Sequence, residues 1–589
     1  MRQKLNFLSK KFKIVRSKST KRNITEMFGI FLLSFLLTSF TTAQELNLTL
    51  DFSTFLGGNG TDGCFIQADK EEYIYCMGTT SSSDFPFTTG AFDTTIDGNS
   101  DMYVCKFTPD GSELIYSTFL GGSGDESHSW FMKIDDEGCA YILGATTSDD
   151  FPCTDNSVDI TYNGDWDLFI VKLNPGGTDL IYSTYLGGSS TDLPADIEVG
   201  ANGNIYVSCS TISDDFPVSA EAFDKIRDKD FEIVVTKINP RWKEPKYSTF
   251  MGGMMLGQLA VDDQGYCLLA GYGNSDLITT EGVFGRNYYG GGADGYIAKL
   301  DTIGSSLIFA SFLGGTDYDY GGDIMLDNQN SIVIYGATFS PNFPTTPGVY
   351  DRSYDGPGQN LFFTKMDPGA QLILYSSFLT GSYDGGLMTM TMDGTGNLYG
   401  SVIAYSAGLA VTEYAFDKSY NGYEDGYMLI YDQDLTDLLY ASYLGTSGSE
   451  YAFITVGPDN KVITGGATSS AEFPVTTGAF QSVYGGGERD GFLMKFSLET
   501  VPDYLLNNKK SNINIYPNPV DGLVTISPGS FSQRYVNIEI YSIHGRLVYS
   551  GNADASDETT IDVSEIPKGI YILRIRSADY QVVQKITIE

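Results

Sequence analysis

The sequence predicts an all-β chain, a seven-bladed β-propeller of four-stranded blades followed by a small immunoglobulin-like β-sandwich. Three observations predict it. The phrase Phe52-Ser-Thr-Phe-Leu-Gly-Gly58 recurs at 116–122, 182–188, 247–253, 309–315, 375–381 and 440–446, at spacings of 62 to 66 residues. A fixed period of that size marks a repeat architecture in which each unit is one supersecondary block. Each unit carries four short apolar runs of mostly alternating polarity, in the second unit 114–120, 130–134, 140–144 and 167–173. Such period-two runs are strands, and four strands times seven units is a seven-bladed propeller. Finally, the array opens with a lone first-type strand at 46–56 and finishes with a lone fourth-type strand at 490–496. Pairing the two completes the seventh blade and leaves no exposed sheet edge. A ring closed in this way is expected to be monomeric.

Composition agrees. Glycine is frequent at 67 residues, proline modest at 20, and aromatics make up 13% of the 589 residues, a mixture that suits short strands and tight turns. Turn signals such as Asp135-Asp-Glu-Gly138, Asp262-Asp-Gln-Gly265 and Pro109-Asp-Gly111 separate the runs.

Residues 1–43 read as a secretory leader: Lys and Arg crowd positions 2–22, an apolar stretch runs from Met27 to about Phe40, and Thr41-Thr-Ala43 offers a cleavage point before Gln44. The apolar stretch is short for a spanning helix, which needs about 20 residues, so no membrane span is expected in the mature chain. The leader carries nine Lys/Arg and one Glu; of 36 basic and 74 acidic residues, 27 and 73 remain, a net charge near −46. Phosphate binding needs clustered positive charge, so nucleic acid is excluded as a partner.

All seven cysteines fall between Cys64 and Cys267, a pattern unlike the disulfide framework of a small secreted domain. Cys64 and Cys76 flank the turn at 69–72 and are expected to face each other across a hairpin, where an oxidising compartment permits one disulfide; most of the others read as small buried hydrophobes. No CxxC or Cys/His cluster suggests zinc.

Two acidic series repeat. Asp101, Asp167, Glu232, Asp294, Asn360, Asp425 and Asp490 stand at the start of the fourth-type strands, five residues before a lysine in every unit but the sixth. A sevenfold feature serves each blade alike, as an acceptor for turn or neighbouring-blade N–H groups. Asp62, Asp125, Asp192, Asp319, Asp384 and Glu450 follow the Gly-Gly pairs. If their loops converge on one face, they form a carboxylate ring with the oxygen ligands that calcium takes, calcium then being the one cofactor in view. Unit four breaks the pattern with Met251-Gly-Gly-Met-Met-Leu256 and replaces the usual Asp-Phe-Pro phrase by Asp276-Leu-Ile-Thr; Met254, Met255 and Leu256 are expected to form an adaptable apolar patch for a partner.

No Gly-x-Ser-x-Gly element, phosphate loop or Gly-x-Gly-x-x-Gly opens a helix, and the only histidines are His128 and His544. No catalytic residues are assigned. The expectation is a non-enzymatic binder of a protein or glycan, against which stand a polysaccharide-acting enzyme using paired carboxylates and a purely structural surface component.

The repeats, with Tyr-Ser-Thr-Phe-Leu-Gly-Gly and the second phrase Asp84-Phe-Pro-Phe-Thr-Thr-Gly-Ala-Phe-Asp93, resemble a bacterial β-propeller repeat family over about 450 residues; the resemblance implies fold and little about activity. After a polar linker at 500–511, residues 512–589 resemble the type A C-terminal sorting domain of the type IX secretion system of Bacteroidetes. The matching pieces are Tyr516-Pro517-Asn518-Pro519, Ile540-Tyr-Ser-Ile-His-Gly545-Arg546, Ile566-Pro-Lys-Gly569-Ile-Tyr571 and Gln584-Lys585-Ile-Thr-Ile-Glu589. This resemblance implies Sec export, passage across the outer membrane, and the type IX machinery as partner of residues 512–589. The expected division is thus a signal peptide at 1–43, a propeller at 44–499, a linker at 500–511 and a sorting domain at 512–589.

Overall fold

The computed structural model describes residues 46–500 apart from 228, 242, 357 and 380–385, and residues 514–588 apart from 517, 521, 528–534, 543–545, 555–557, 565 and 577–580. Ala43, Gln44, Asp384, Pro517 and Gly545 therefore lie outside the described residues.

Seven four-stranded antiparallel sheets make the propeller. Blade 1 runs outward through Phe65–Ala68, Ile74–Thr80, Asp101–Phe107 and Leu114–Leu120, and each later blade repeats that order. The last blade is assembled from both ends of the array: Leu46–Leu56 pairs antiparallel with Asp490–Thr500, from Leu46 opposite Thr500 to Leu56 opposite Gly491. The ring closes as the sequence predicts: Asp490–Thr500 lies inside the sheet and Leu46–Leu56 becomes its outer strand.

The two repeated phrases recur because they bind each other. Ser53, Ser117 and Ser183 Oγ each donate to the proline carbonyl of an Asp-Phe-Pro or Glu-Phe-Pro phrase, Pro474, Pro86 and Pro152, all at 2.6 Å. The preceding phenylalanine is driven into the blade: Phe85, Phe151, Phe343 and Phe473 lie 4.1–4.4 Å, centroid to centroid, from Tyr103, Phe169, Phe362 and Phe492. In blade 4 Leu277 is buried instead, where the phrase reads Asp276-Leu-Ile.

The strand lysines have a structural role of their own. Lys106, Lys172, Lys299 and Lys365 reach the hairpin aspartates Asp69, Asp135, Asp262 and Asp327 of the same blade at 2.7–3.4 Å. Glycine closes two of these hairpins in the left-handed region, Gly138 (φ 79°) and Gly265 (φ 84°), while in blade 5 Asn330 (φ 58°) and in blade 1 Glu72 (φ 70°) accept the same conformation at some steric cost.

All seven cysteines are free thiols. In the strand register Cys76 stands opposite Ile66 and Cys105, and its thiol meets that of Cys64 across the hairpin; burial pushes the Cys76 thiol well up.

Beyond the propeller, a three-stranded sheet (Asn514–Tyr516, Leu523–Ser527, Thr559–Asp562) and a four-stranded sheet (Leu547–Asp554, Tyr535–Ser542, Gly569–Arg576, Gln581–Ile588) make the sandwich. Val524, Ile538, Ile540, Leu573 and Ile586 meet in its core.

Candidate functional site

The loop acids do not form an open ring. Asp62, Asp192, Asp319 and Glu450 are fully buried where one blade meets the next. Asp62 accepts the Gly58 N–H at 2.8 Å and the Ser82 hydroxyl at 2.7 Å; Asp192 and Asp319 do the same with Gly188 and Ser213, and with Gly315 and Ser340. In the second unit the buried acid is Glu126, which takes the Gly122 N–H at 3.2 Å and the Ser148 hydroxyl at 2.6 Å. Asp125, one residue earlier, is half-buried and accepts from Asn99 Nδ2 at 3.0 Å. Adjacent residues of a strand point to opposite sides, so the neighbour takes the buried role. Among the described residues no group of three or more His, Cys, Asp or Glu side chains is placed to hold a metal ion. The calcium ring is thereby corrected: these carboxylates are buried at the blade junctions and accept loop N–H and strand-end hydroxyl hydrogens there.

Both acidic series meet at the junctions. Asp490 faces Asp62, Asp101 faces Glu126, Asp167 faces Asp192, Asp294 faces Asp319 and Asp425 faces Glu450. Between each pair lies the first glycine of the Gly-Gly or Gly-Thr step, and a methyl placed there would lie 2.6–3.1 Å from an oxygen of both acids. That contact is the reason for glycine at 57, 121, 187, 314 and 445. The strand acids accept turn N–H groups as expected, for example Asn163 to Asp167 Oδ2 and Asn421 to Asp425 Oδ2, both at 2.7 Å.

Blade 4 solves the same problem with one acid. Its loop has none, and Glu232, one methylene longer than aspartate, takes the Gly253 N–H at 2.8 Å. Met254, expected at the surface, is fully buried and packs in the core with Leu269 and Tyr296. Met255 is 39% exposed, and Leu256, with φ 54°, lines the central channel. The three residues therefore make no common patch.

Among the described residues the channel lining varies from blade to blade at a fixed register. The innermost strands share a register of alternating channel-facing and core-facing residues, and their side chains line a cavity of about 910 Å³. In the first ring Phe453, Phe65 and Phe131 occupy blades 7, 1 and 2, with Phe65 and Phe453 edge to face at 5.0 Å. Asp196, Gln258, Asp323 and Thr389 occupy blades 3 to 6. These polar residues bind across blades: Asp196 Oδ2 accepts the Leu259 N–H at 2.8 Å, Gln258 Nε2 donates to the Ala195 carbonyl at 2.8 Å, and Thr389 Oγ1 accepts the Ile454 N–H at 2.9 Å.

The next ring holds Lys133 and Glu198, paired at 2.6 Å. Burial alone lowers the lysine, but Glu198, Asp196 and Asp323 together hold its proton on more firmly than usual. Burial pushes Asp196 up to about 8; Lys133 opposes this, while Glu198 and Asp323 add to it. Burial likewise pushes Asp323 up to about 6, again against Lys133. One lysine and three acids thus share a space that elsewhere in the ring is aromatic or neutral. A carboxyl still protonated near neutrality donates a hydrogen bond as well as accepting one. The signal was present in the sequence, in the aligned pairs Phe131/Lys133, Asp196/Glu198 and Asp323/Met325, but it appears only when the inner strands are compared with one another.

In the sandwich Asn518, Pro519 and Lys585 are exposed. Asn518 clamps the final strand, Nδ2 donating to the Lys585 carbonyl at 2.9 Å and Oδ1 accepting the Thr587 N–H at 2.9 Å. Tyr571 is buried in the core, its hydroxyl donating to the Pro567 carbonyl at 2.6 Å, and Gly569 opens the strand that carries it.

Residues 514–589 match the family model of the secretion system C-terminal sorting domain. The protein is secreted or displayed on the outer-membrane surface. With that domain at its end, the chain contacts the secretion machinery, and among the described residues no helix is long and apolar enough to cross a membrane. No curated protein matches the chain. Similar solved structures include a protein of unknown function from Dyadobacter fermentans DSM 18053 (11% identity, TM-score 0.36, covering 77% of this chain and 100% of that one). Others are the polysaccharide lyase Uly1 (10%, 0.39, 77% and 99%) and a PL25 ulvan lyase (11%, 0.38, 71% and 93%).

Proposed function

We propose that the chain is exported as a leader at 1–43, a propeller at 44–499, a linker at 500–511 and a sorting domain at 512–589, and that the propeller binds a glycan or protein ligand without transforming it. The type IX machinery is the partner of the sorting domain, through the segments around Pro517, Asn518, Pro519, Gly545, Gly569, Tyr571 and Lys585. The observation that carries the binding reading is the channel: in a frame where nearly every position repeats, the residues lining this cavity do not. Ligand sites are concave and largely apolar with a few convergent polar groups, and this cavity combines a phenylalanine arc with acid, amide and hydroxyl groups. Its charge selects the ligand. The only cation of the cluster is neutralised by Glu198, Asp323 adds negative charge, and Asp196, protonated near neutrality, adds a donor, so the cavity favours neutral or basic hydroxyl-bearing ligands and disfavours polyanions.

The test is a screen of the purified mature protein against neutral, amino-bearing and uronic-acid polysaccharides, read by binding and by the appearance of reducing or unsaturated ends. Retention on neutral or amino-bearing polymer without new ends is expected. New ends on any polymer would make the protein an enzyme, and retention only on uronic-acid polymer would overturn the assignment to the channel.

A further inference from the structure

The five junctions where two buried acids face each other pose a problem that their hydrogen bonds do not solve. Each pair is buried, and no lysine or arginine is among the groups acting on Asp101, Asp167, Asp294 or Asp490. On Asp167, Asp294, Asp425 and Asp490 the Oδ1 atom has no hydrogen-bond partner, and it is the atom turned towards the facing acid across the glycine. Two ionised carboxylates at such range repel strongly in a medium of low polarity. The surrounding donors are backbone N–H groups and, on the loop acids, serine and threonine hydroxyls; the N–H groups favour an anion and would repel a metal cation.

We propose that each of these five seams holds one proton shared between its two carboxyls, so that the blade ring is tightest in mildly acid surroundings and loosens as the pH rises past neutrality. In the seams of Asp167, Asp294, Asp425 and Asp490 the shared O–H···O bond gives the unpartnered oxygen its partner; at Asp101, whose Oδ1 already accepts the Gly98 N–H at 3.4 Å, as in the others, it removes one charge from the seam. Natural variation around the ring supports this. Where the loop acid is missing, the strand acid is a glutamate that does both tasks, and at the junction between blades 5 and 6 the strand acid is replaced by the neutral Asn360. Asn360 keeps the turn N–H bond, its Oδ1 accepting from Asp355 at 3.1 Å, carries no charge, and turns its Nδ2 to the Gly358 carbonyl at 3.3 Å.

The direction of the pH effect follows from the charges in view. Burial pushes Asp101, Asp167 and Asp294 up to about 7, with Glu126, Asp192 and Asp319 adding to it, and Asp425 and Asp490 up to about 6, with Glu450 and Asp62 adding to it. The further acids Asp97, Asp159, Asp417 and Asp84 act in the same sense. So do Asp125, Asp215 and Asp317 on the loop side. Tyr162, Tyr288, Tyr420 and Tyr484 face the seams in their neutral form, and Arg489 is a cation acting on Glu450. Unfolded carboxyls titrate near pH ~4, so the folded chain holds the extra protons. Stability from them is complete below about pH 4 and is lost as pH rises through about 6 to 7.

Thermal unfolding of the mature protein between pH 5.5 and 8.5 tests this. The midpoint is expected to fall by several degrees towards pH 8.5, and Asp167→Asn with Asp294→Asn, copying Asn360, to flatten the slope and raise the midpoint at pH 8.5. The infrared band of protonated carboxyls, followed in the wild-type protein over the same range, gives a readout that needs no variant; it is expected to fade between pH 6 and 8. A midpoint that rises with pH, a band absent at pH 5.5, or calcium raising the midpoint at pH 8.5 with reversal by chelator would each overturn the proposal, the last by placing a cation where the proton is assigned.

Discussion

The blade junctions and the central channel are built from the same seven repeats, yet they follow opposite rules. At the junctions a glycine, an acid facing it and a serine or threonine behind it recur with little change, and where one member changes another compensates, as Glu232 does. In the channel the corresponding positions run Phe65, Phe131, Asp196, Gln258, Asp323, Thr389 and Phe453. Repetition marks what every blade needs to stand beside its neighbours; variation at a fixed register marks what the ring as a whole presents. If this contrast holds, substitutions at repeated positions damage the fold and substitutions at varied ones change what the protein binds.

The largest effect is expected at Phe151, buried and stacked on Phe169 at 4.3 Å and 22°. Phe151→Ala removes the wedge that ties the second phrase to its blade, and a loss of about 3–5 kcal/mol is expected from denaturant unfolding. That is a large share of a typical domain's stability. A loss below about 1 kcal/mol would mean that the repeated phrase is not what holds the blade.

Blade 4 sharpens the comparison. Glu232→Asp shortens the carboxyl that reaches Gly253, leaving a buried N–H without its acceptor at a cost of about 1–3 kcal/mol. The same unfolding measurement applies. An unchanged midpoint would show that the loop relaxes to another acceptor and that Glu232 does not compensate for the missing acid.

How far the sequence could be read follows the same division. The period, the four runs and the two lone end strands specify the blades and their closure, because backbone pairing is common to all units. Burial of the acidic series was not legible, since an acid after Gly-Gly looks the same whether it faces water or a neighbouring blade. Choosing Asp125 over Glu126 was a one-residue error, and in a strand one residue changes the face. The strand that begins at Glu126 was read as starting at Trp130 because its register shifts between Ser127 and Phe131. Met254 was misplaced because an apolar residue in a polar loop resembles an exposed patch until the core beneath it is known. The channel constellation joins Lys133, Asp196, Glu198 and Asp323 from three blades, and no local pattern announces a contact such as that of Lys133 with Glu198, 65 positions apart.

The smallest effect on folding, and the most informative on binding, is expected from Lys133→Gln. The Lys133–Glu198 pair is close, at 2.6 Å, but its side chains are 35% and 23% exposed to the channel, so solvent screens it and its loss is expected to cost about 1 kcal/mol or less. Removing the lysine also removes the charge that restrains protonation of Asp196 and Asp323, so both carboxyls stay protonated to higher pH. A channel ligand that bonds to these groups should then show a changed affinity and a pH dependence of binding shifted upward, with the unfolding midpoint nearly unaltered. Titrating the captured polymer against wild type and variant between pH 6 and 9 separates the two effects. If affinity and its pH profile are the same in both while the midpoint is also unchanged, the varied ring does not touch the ligand, and the contrast between repeated frame and varied channel carries no functional meaning.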